Sequence, residues 1–178
     1  MKAGLLVAGI VVAVGVAIGG KCFTTNNRAI SLEEQINDAA SQVQIQEKRR
    51  VDLVYNLVDT VKDYRDYEGS TLTAITEARS SVKNGDVQEA VASINAVTEA
   101  YPELKANESY QQLMTELSMT ENAIAETRNS YNAQVKSYNK YIRAFPNRLI
   151  LDIMGYDSID AQYMQFNDLE DAPQNLFE

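Results

Sequence analysis

Without histidine and with a single cysteine, Cys22, this sequence leaves carboxylates as its candidate groups for acid–base work or ion binding, with arginines to pair them. One cysteine cannot close an internal disulfide, and without histidine neither a zinc site nor a Ser-His-Asp or Cys-His arrangement can be assembled. Carboxylate-only acid–base work and hard-cation binding are the chemistries left. Two stretches concentrate the relevant groups. Arg49, Arg50 and Asp52 fall in one long helical pattern, and Glu121, Asn122 and Arg128 fall in another. If those helices run antiparallel, Arg49 or Arg50 comes near Glu121, and the six residues form a semi-buried polar layer. Charges tolerate burial when paired, and polar core layers fix the register of packed helices. The layer is therefore read as structural, and no catalytic residue, metal ligand or cofactor is expected.

Positioning those residues falls to helices. Ser31 and Glu34 have the spacing of a capping box, and from there no Gly or Pro interrupts the chain as far as Glu68. Leu32, Ile36, Ala39, Val43, Leu53, Leu57, Val61 and Tyr64 recur at three- and four-residue steps, the period of an amphipathic helix or of two joined near Tyr55. Gly69-Ser70 breaks the run and Ser70 can cap a second helix, 71–82. Asn84-Gly85 predicts a turn, Asp86 with Glu89 a cap, and a third helix follows from Val87 to Ala100, before Pro102. Asn107 caps the last helix, expected from Glu108 to Phe145. Its seven-residue spacing of Tyr110, Leu117, Ile124, Tyr131, Tyr138 and Phe145 marks a seam about 50 Å long. A parallel row, Leu113, Thr120, Thr127, Gln134 and Tyr141, is polar in its middle.

Ahead of these helices, Ala3 to Gly20 carries no charge and is flanked by Lys2 and Lys21. Eighteen helical residues span roughly 27 Å, close to the hydrocarbon thickness of a bilayer. Leu5, Leu6, Val7, Ile10, Val11, Val12, Val14, Val16 and Ile18 are its anchoring side chains, and Gly15 with Gly19 forms one GxxxG pair. The competing reading is a cleaved signal peptide with Ala17-Ile18-Gly19 as its cleavage site and a secreted helical product. The run is longer than a usual signal core and lacks a polar stretch before the site, which favours a retained anchor. Lys2 on one side and Lys21 with Arg28 on the other leave orientation undecided.

The overall organisation predicted is a transmembrane anchor over 1–23, a linker over 24–30, a helical bundle over 31–151 and an acidic, partly disordered tail over 152–178. The fold class is all-α, an N-terminal transmembrane helix with an antiparallel, up-and-down four-helix bundle. From Asp152 onward there are seven acidic residues and no basic one, with Phe166 and Phe177 among the interspersed aromatics. Such a tail is either solvated or a short docking motif. Net charge is −9, which argues against a nucleic-acid partner. Lipid bilayer, unidentified protein partners and further copies of the chain remain as partners, and no small-molecule substrate is expected. Tyr110, Tyr131, Tyr138, Phe166 and Phe177 are the candidate interface residues, though the three tyrosines suit an internal seam equally well.

Several blocks together resemble the LemA family of bacterial membrane proteins. They are 46–54 (Gln46-Glu47-Lys48-Arg49-Arg50-Val51-Asp52-Leu53-Val54), Asn56-Leu57-Val58, Glu77-Ala78-Arg79, 101–106 (Tyr101-Pro102-Glu103-Leu104-Lys105-Ala106), 120–124 (Thr120-Glu121-Asn122-Ala123-Ile124), Tyr131-Asn132 and Phe145-Pro146. They occur in the family's order over nearly the whole chain. The resemblance implies an antiparallel helical bundle on a membrane anchor, in the cell membrane, and supplies no catalytic residues. Some relatives belong to magnetosome membranes. This sequence departs from the family in having Tyr55 where proline is usual, which implies a straighter first helix, and a short connection at 84–86. The role expected is removed from catalysis: a scaffold or adaptor, with a self-assembling membrane-surface oligomer as the alternative. If the polar layer is buried, Glu121→Ala lowers the melting temperature, read by circular dichroism. An unchanged melting temperature would place Glu121 in solvent.

Overall fold

The computed structural model of the protein describes residues 2–63 and 69–159. It is all-helical over these residues, in the order α1 (Lys2–Lys62), α2 (Gly69–Asn84), α3 (Val87–Ala100), α4 (Pro102–Lys105), α5 (Glu108–Arg143) and α6 (Asn147–Ile153). The first helix is one piece. Sequence reasoning put a linker at 24–30 and a helix start at Ser31; instead the apolar stretch and the amphipathic stretch share an unbroken backbone. No Gly or Pro lies between Lys21 and Lys62 to end the helix. The polar residues that suggested a break are engaged within the helix itself: Thr24 Oγ1 donates to the Lys21 carbonyl at 3.0 Å, and the Ser31 carbonyl accepts from Gln35 Nε2 at 2.9 Å. The helix also passes Tyr55 without a break.

The shorter elements follow their local signals. Gly85 adopts φ +91, a left-handed conformation open to glycine, and turns the chain from α2 into α3. Asp86 then caps α3 by accepting from the Glu89 amide at 3.1 Å, and Asn107 caps α5 by accepting from the Tyr110 amide at 3.1 Å. Pro102 does end α3, but it also opens α4, where a missing N–H costs nothing. The last long helix stops at Arg143, so Phe145 lies beyond it and is 83% exposed. The seam expected through Phe145 therefore ends at Tyr138.

The chain divides into two compact units, residues 1–39 with 128–178, and residues 40–127. In the second, Leu53, Val54, Leu57, Val58 and Val61 of α1 are buried with Ile75, Ala78 and Val82 of α2. Val87, Ala90, Ile94 and Val97 of α3, Leu104 of α4, and Tyr110 and Leu117 of α5 complete that core. Here α1 buries two adjacent rows, because several helices surround it. In the first unit the core is narrower: Ala29, Leu32 and Ile36 of α1 with Val135, Tyr138 and Ile142 of α5 and Leu151 of α6. Along α1 the buried positions there, Thr25, Ala29, Leu32, Ile36 and Ala39, alternate steps of four and three, the stripe of a two-helix seam. Two of them fall where a linker was expected.

The two surfaces predict different tolerance to truncation. Ile94→Ala removes a side chain that is 1% exposed and is expected to cost about 2–5 kcal/mol in denaturant unfolding. Ile45→Ala, at a residue 63% exposed, is expected to change stability by less than about 0.5 kcal/mol.

Candidate functional site

The charged residues singled out by sequence sort themselves into separate pairs. Within residues 40–127, Arg50 Nε lies 2.6 Å from Glu121 Oε1, the arginine side chain being 21% and the glutamate 46% exposed. Arg49 Nη2 is 3.7 Å from Glu116 Oε2, and both are more open to solvent than Arg50. Asp52 is held by Lys48 one turn earlier, Nζ to Oδ2 3.0 Å, on the exposed side of α1. Asn122 is exposed, and Arg128, half-buried, falls in the other unit. The structure thus brings Arg50 and Glu121 together and distributes the other four elsewhere. Asp52 and Glu121 are each engaged by a different cation, Lys48 and Arg50.

The polar middle of the second α5 row has a local explanation. Thr120 is 2% exposed, and its Oγ1 donates to the Glu116 carbonyl at 2.8 Å. Thr127 does the same toward Ala123 at 2.9 Å. A hydroxyl that returns its hydrogen bond to its own helix can be buried without a partner on the neighbouring one. Arg50 follows the stepping of the buried stripe on α1, three residues before Leu53, which is why it is the less exposed of the two arginines. Sequence reasoning missed a further link, the ion pair between Arg79 of α2 and Asp59 of α1. A pairing of opposite charges twenty residues apart has no local signature.

In the first unit the tyrosines form a hydrogen-bonded girdle beside the start of the amphipathic part of α1. Tyr138 donates to the Asp157 carbonyl at 3.2 Å and to Glu33 Oε1 at 3.4 Å. Tyr141 donates to the Thr25 carbonyl at 3.3 Å, and Tyr156 to Asn26 Oδ1 at 2.9 Å. Asn139 Nδ2 donates to the Ile159 carbonyl at 2.9 Å. Residues 152–159, which sequence assigned to an irregular tail, are thereby tied down: α6 continues to Ile153, and Tyr156 and Ile159 pack on the core. Of the candidate interface residues, Tyr110 is 6% and Tyr138 2% exposed, so their surface is used inside the fold, while Tyr131 is half-buried. Phe166 and Phe177 lie outside the described residues. Among the described residues no group of three His, Cys, Asp or Glu is placed to hold a metal ion.

The anchoring side chains are placed quite differently. Leu6, Val7, Ile10, Val11, Val12, Val14, Val16 and Ile18 are 52–71% exposed, all around the helix, and the apolar window has a mean hydropathy of 2.2. The side chain of Leu5 lies outside the described ones. By length and composition this part of α1 is able to cross a membrane.

What the fold defines over the described residues is an all-helical protein with one candidate membrane-crossing helix near its N-terminus. The sequence profile of the LemA family matches residues 39–177, and the chain belongs to that family. It is 33% identical over 131 residues to Protein LemA of Metamycoplasma hominis, covering 67% of this chain and 60% of that protein. It is also 32% identical over 90 residues to Magnetosome proteins MamQ 1 and MamQ 2 of Paramagnetospirillum magneticum, covering 51% of this chain and 32% of each relative. The chain thus spans 60% of the length of the first relative and 32% of the other two. The profile match takes in Arg49, Arg50 and Glu121 and leaves the apolar stretch before residue 39 outside it.

The buried Tyr138 gives a pH dependence. Burial, followed by the nearby Glu33 carboxylate, pushes its phenol from 10.0 up to about 12. Above pH 10 the unfolded chain loses a proton that the folded chain keeps, so stability falls with rising pH through that window and is fully present below it. Tyr138→Phe, which cannot ionise, is expected to be less stable than the parent at pH 8. That gap should narrow between pH 10 and about 12, as read by denaturant melts.

Proposed function

We propose that the chain is a single-pass protein of the cell membrane whose helical domain, an up-and-down four-helix bundle, acts as a non-catalytic scaffold or adaptor for protein partners. The observation that carries this reading is the apolar part of α1, exposed on every side yet continuous with the packed part of the same helix. An apolar stripe facing one way would be a core helix; an apolar cylinder has lipid as its natural solvent. Paired arginines and carboxylates with structural partners, together with the absence of histidine, support a role without covalent or acid–base chemistry. Membership of the LemA family, and similarity to proteins named for the magnetosome, support a place at a membrane.

Self-assembly is the second reading, favoured by Gly15 and Gly19. A methyl group added at either would meet nothing within 4 Å, so that side of α1 is open to a second helix at close range. Partner docking through the acidic C-terminal stretch belongs to the first reading.

Carbonate washing of membranes from expressing cells tests the anchor: the full-length chain is expected to stay in the pellet. Release into the supernatant, or a mature form beginning beyond Gly20, would indicate a secreted product instead. Cross-linking and pull-down with and without residues 160–178 tests docking, since a deletion starting there spares the packed Tyr156 and Ile159. Loss of a partner is the expected result, and identical partners would sink the tail-docking version. Light scattering of the detergent-solubilised chain decides between a monomer and an assembly.

A further inference from the structure

We infer that α6 and the turn before it form a second membrane contact, an interfacial foot that lies on the same bilayer face from which α1 emerges. The inference rests on the membrane-anchor reading above and adds a lipid-binding site to it. It starts from where the end of α5 falls along α1. Tyr141 reaches the Thr25 carbonyl, and Tyr156, just after α6, reaches Asn26. Thr25 is two residues past Phe23, a rise of about 3 Å along the helix. Arg143, the last residue of α5, is two residues beyond Tyr141, in the direction that leads back toward Cys22. The half-buried state of Cys22 fits packing at that level. The α5–α6 turn is therefore held beside the point where the apolar cylinder ends.

What that turn exposes suits a lipid interface. Phe145 is 83%, Leu149 58% and Ile153 89% exposed, with Met154 at 46%, and Phe23 on α1 is 68% exposed. Leu149 and Ile153 are one turn apart on the side of α6 away from buried Asn147 and Leu151. Water gives no reason to gather four large apolar side chains in ten residues at the surface. Continuity with an apolar cylinder does, because the same bilayer covers both. The polar groups agree with that depth. Tyr141 and Tyr156, apolar rings with hydroxyls bonded to α1, occupy the level where aromatic residues sit at a membrane surface. Lys21, Arg28 and Arg143 are exposed beside them, together with Arg148, which is paired to Asp152 at 3.5 Å. Asp157 is the other exposed acid of this edge among the described residues. The occupant is thus the lipid headgroup and upper acyl region, reached by apolar insertion with long basic side chains lying alongside.

The sequence contains no tryptophan, so one introduced tryptophan reports its own surroundings. Full-length Phe145→Trp and Ile153→Trp are reconstituted in phosphatidylcholine–phosphatidylglycerol vesicles carrying brominated acyl chains, with Ile10→Trp and Phe23→Trp as references within α1. The expected result is bromine quenching at 145 and 153 comparable to that at 23, with loss of iodide quenching relative to detergent-free solvent-exposed tryptophan. If Ile10→Trp is quenched while 145 and 153 respond to iodide alone, the foot is overturned and the anchor stands. If 153 is shielded from both quenchers, protein rather than lipid covers α6 and the foot is again overturned. If Ile10→Trp is not quenched either, the anchor reading fails and takes the foot with it.

Discussion

The backbone hydrogen-bond ladder of α1 is the constraint to which everything else in this protein answers. For 61 residues nothing in the sequence interrupts it. The apolar beginning and the amphipathic continuation are consequently parts of one helix. A helix with such a composition must change its surroundings along its length. Its first part has apolar side chains in every direction, and its later part a stripe and then two rows of them. Neighbouring helices cover the stripe and the rows. Lipid is what we propose for the cylinder.

The width of the buried surface on α1 records how many helices surround it. In the unit of residues 40–127 it loses two rows to a core built with α2, α3, α4 and α5. In the other unit it loses one seam, mostly to α5 and the α6 region. A narrow seam buries less apolar area, and there the fold relies on tyrosines, which combine a large ring with a hydroxyl able to reach across to a backbone carbonyl. Tyr141 does this to the Thr25 carbonyl, 116 residues away, and Tyr138 reaches the Glu33 carboxylate, 105 residues away. The Arg50–Glu121 pair occupies a comparable position in the other unit. Its geometry is close, but the half-exposed glutamate limits what it adds to stability.

Much of the helical map was legible because its signals are local. Asp86 and Asn107 as caps, Gly85 as a turn and Val87–Ala100 as a helix depend on side chains within four residues of one another. The misplaced features are those in which a local signal competed with its context. Thr24, Asn26 and Ser31 favour caps and turns in isolation, yet within a long helix they bond back to it or face α5 and the segment after α6. The tail was read as starting at Asp152 because charge changes there, whereas Tyr156 and Ile159 belong to the core by contacts with residues far upstream.

By itself, then, the sequence determined that the chain is helical, that its opening stretch is apolar on all sides, and that it offers no histidine and a single cysteine. These follow from composition and from periods of three and four residues, which any single helix displays. Only the tertiary structure decided which tyrosines are internal, which carboxylate meets Arg50, and that α6 rests beside the end of the apolar cylinder. Those outcomes depend on the alignment of α1 with α5, a relation between residues about a hundred positions apart. Packing sets that relation, and the pattern within either helix alone leaves it open.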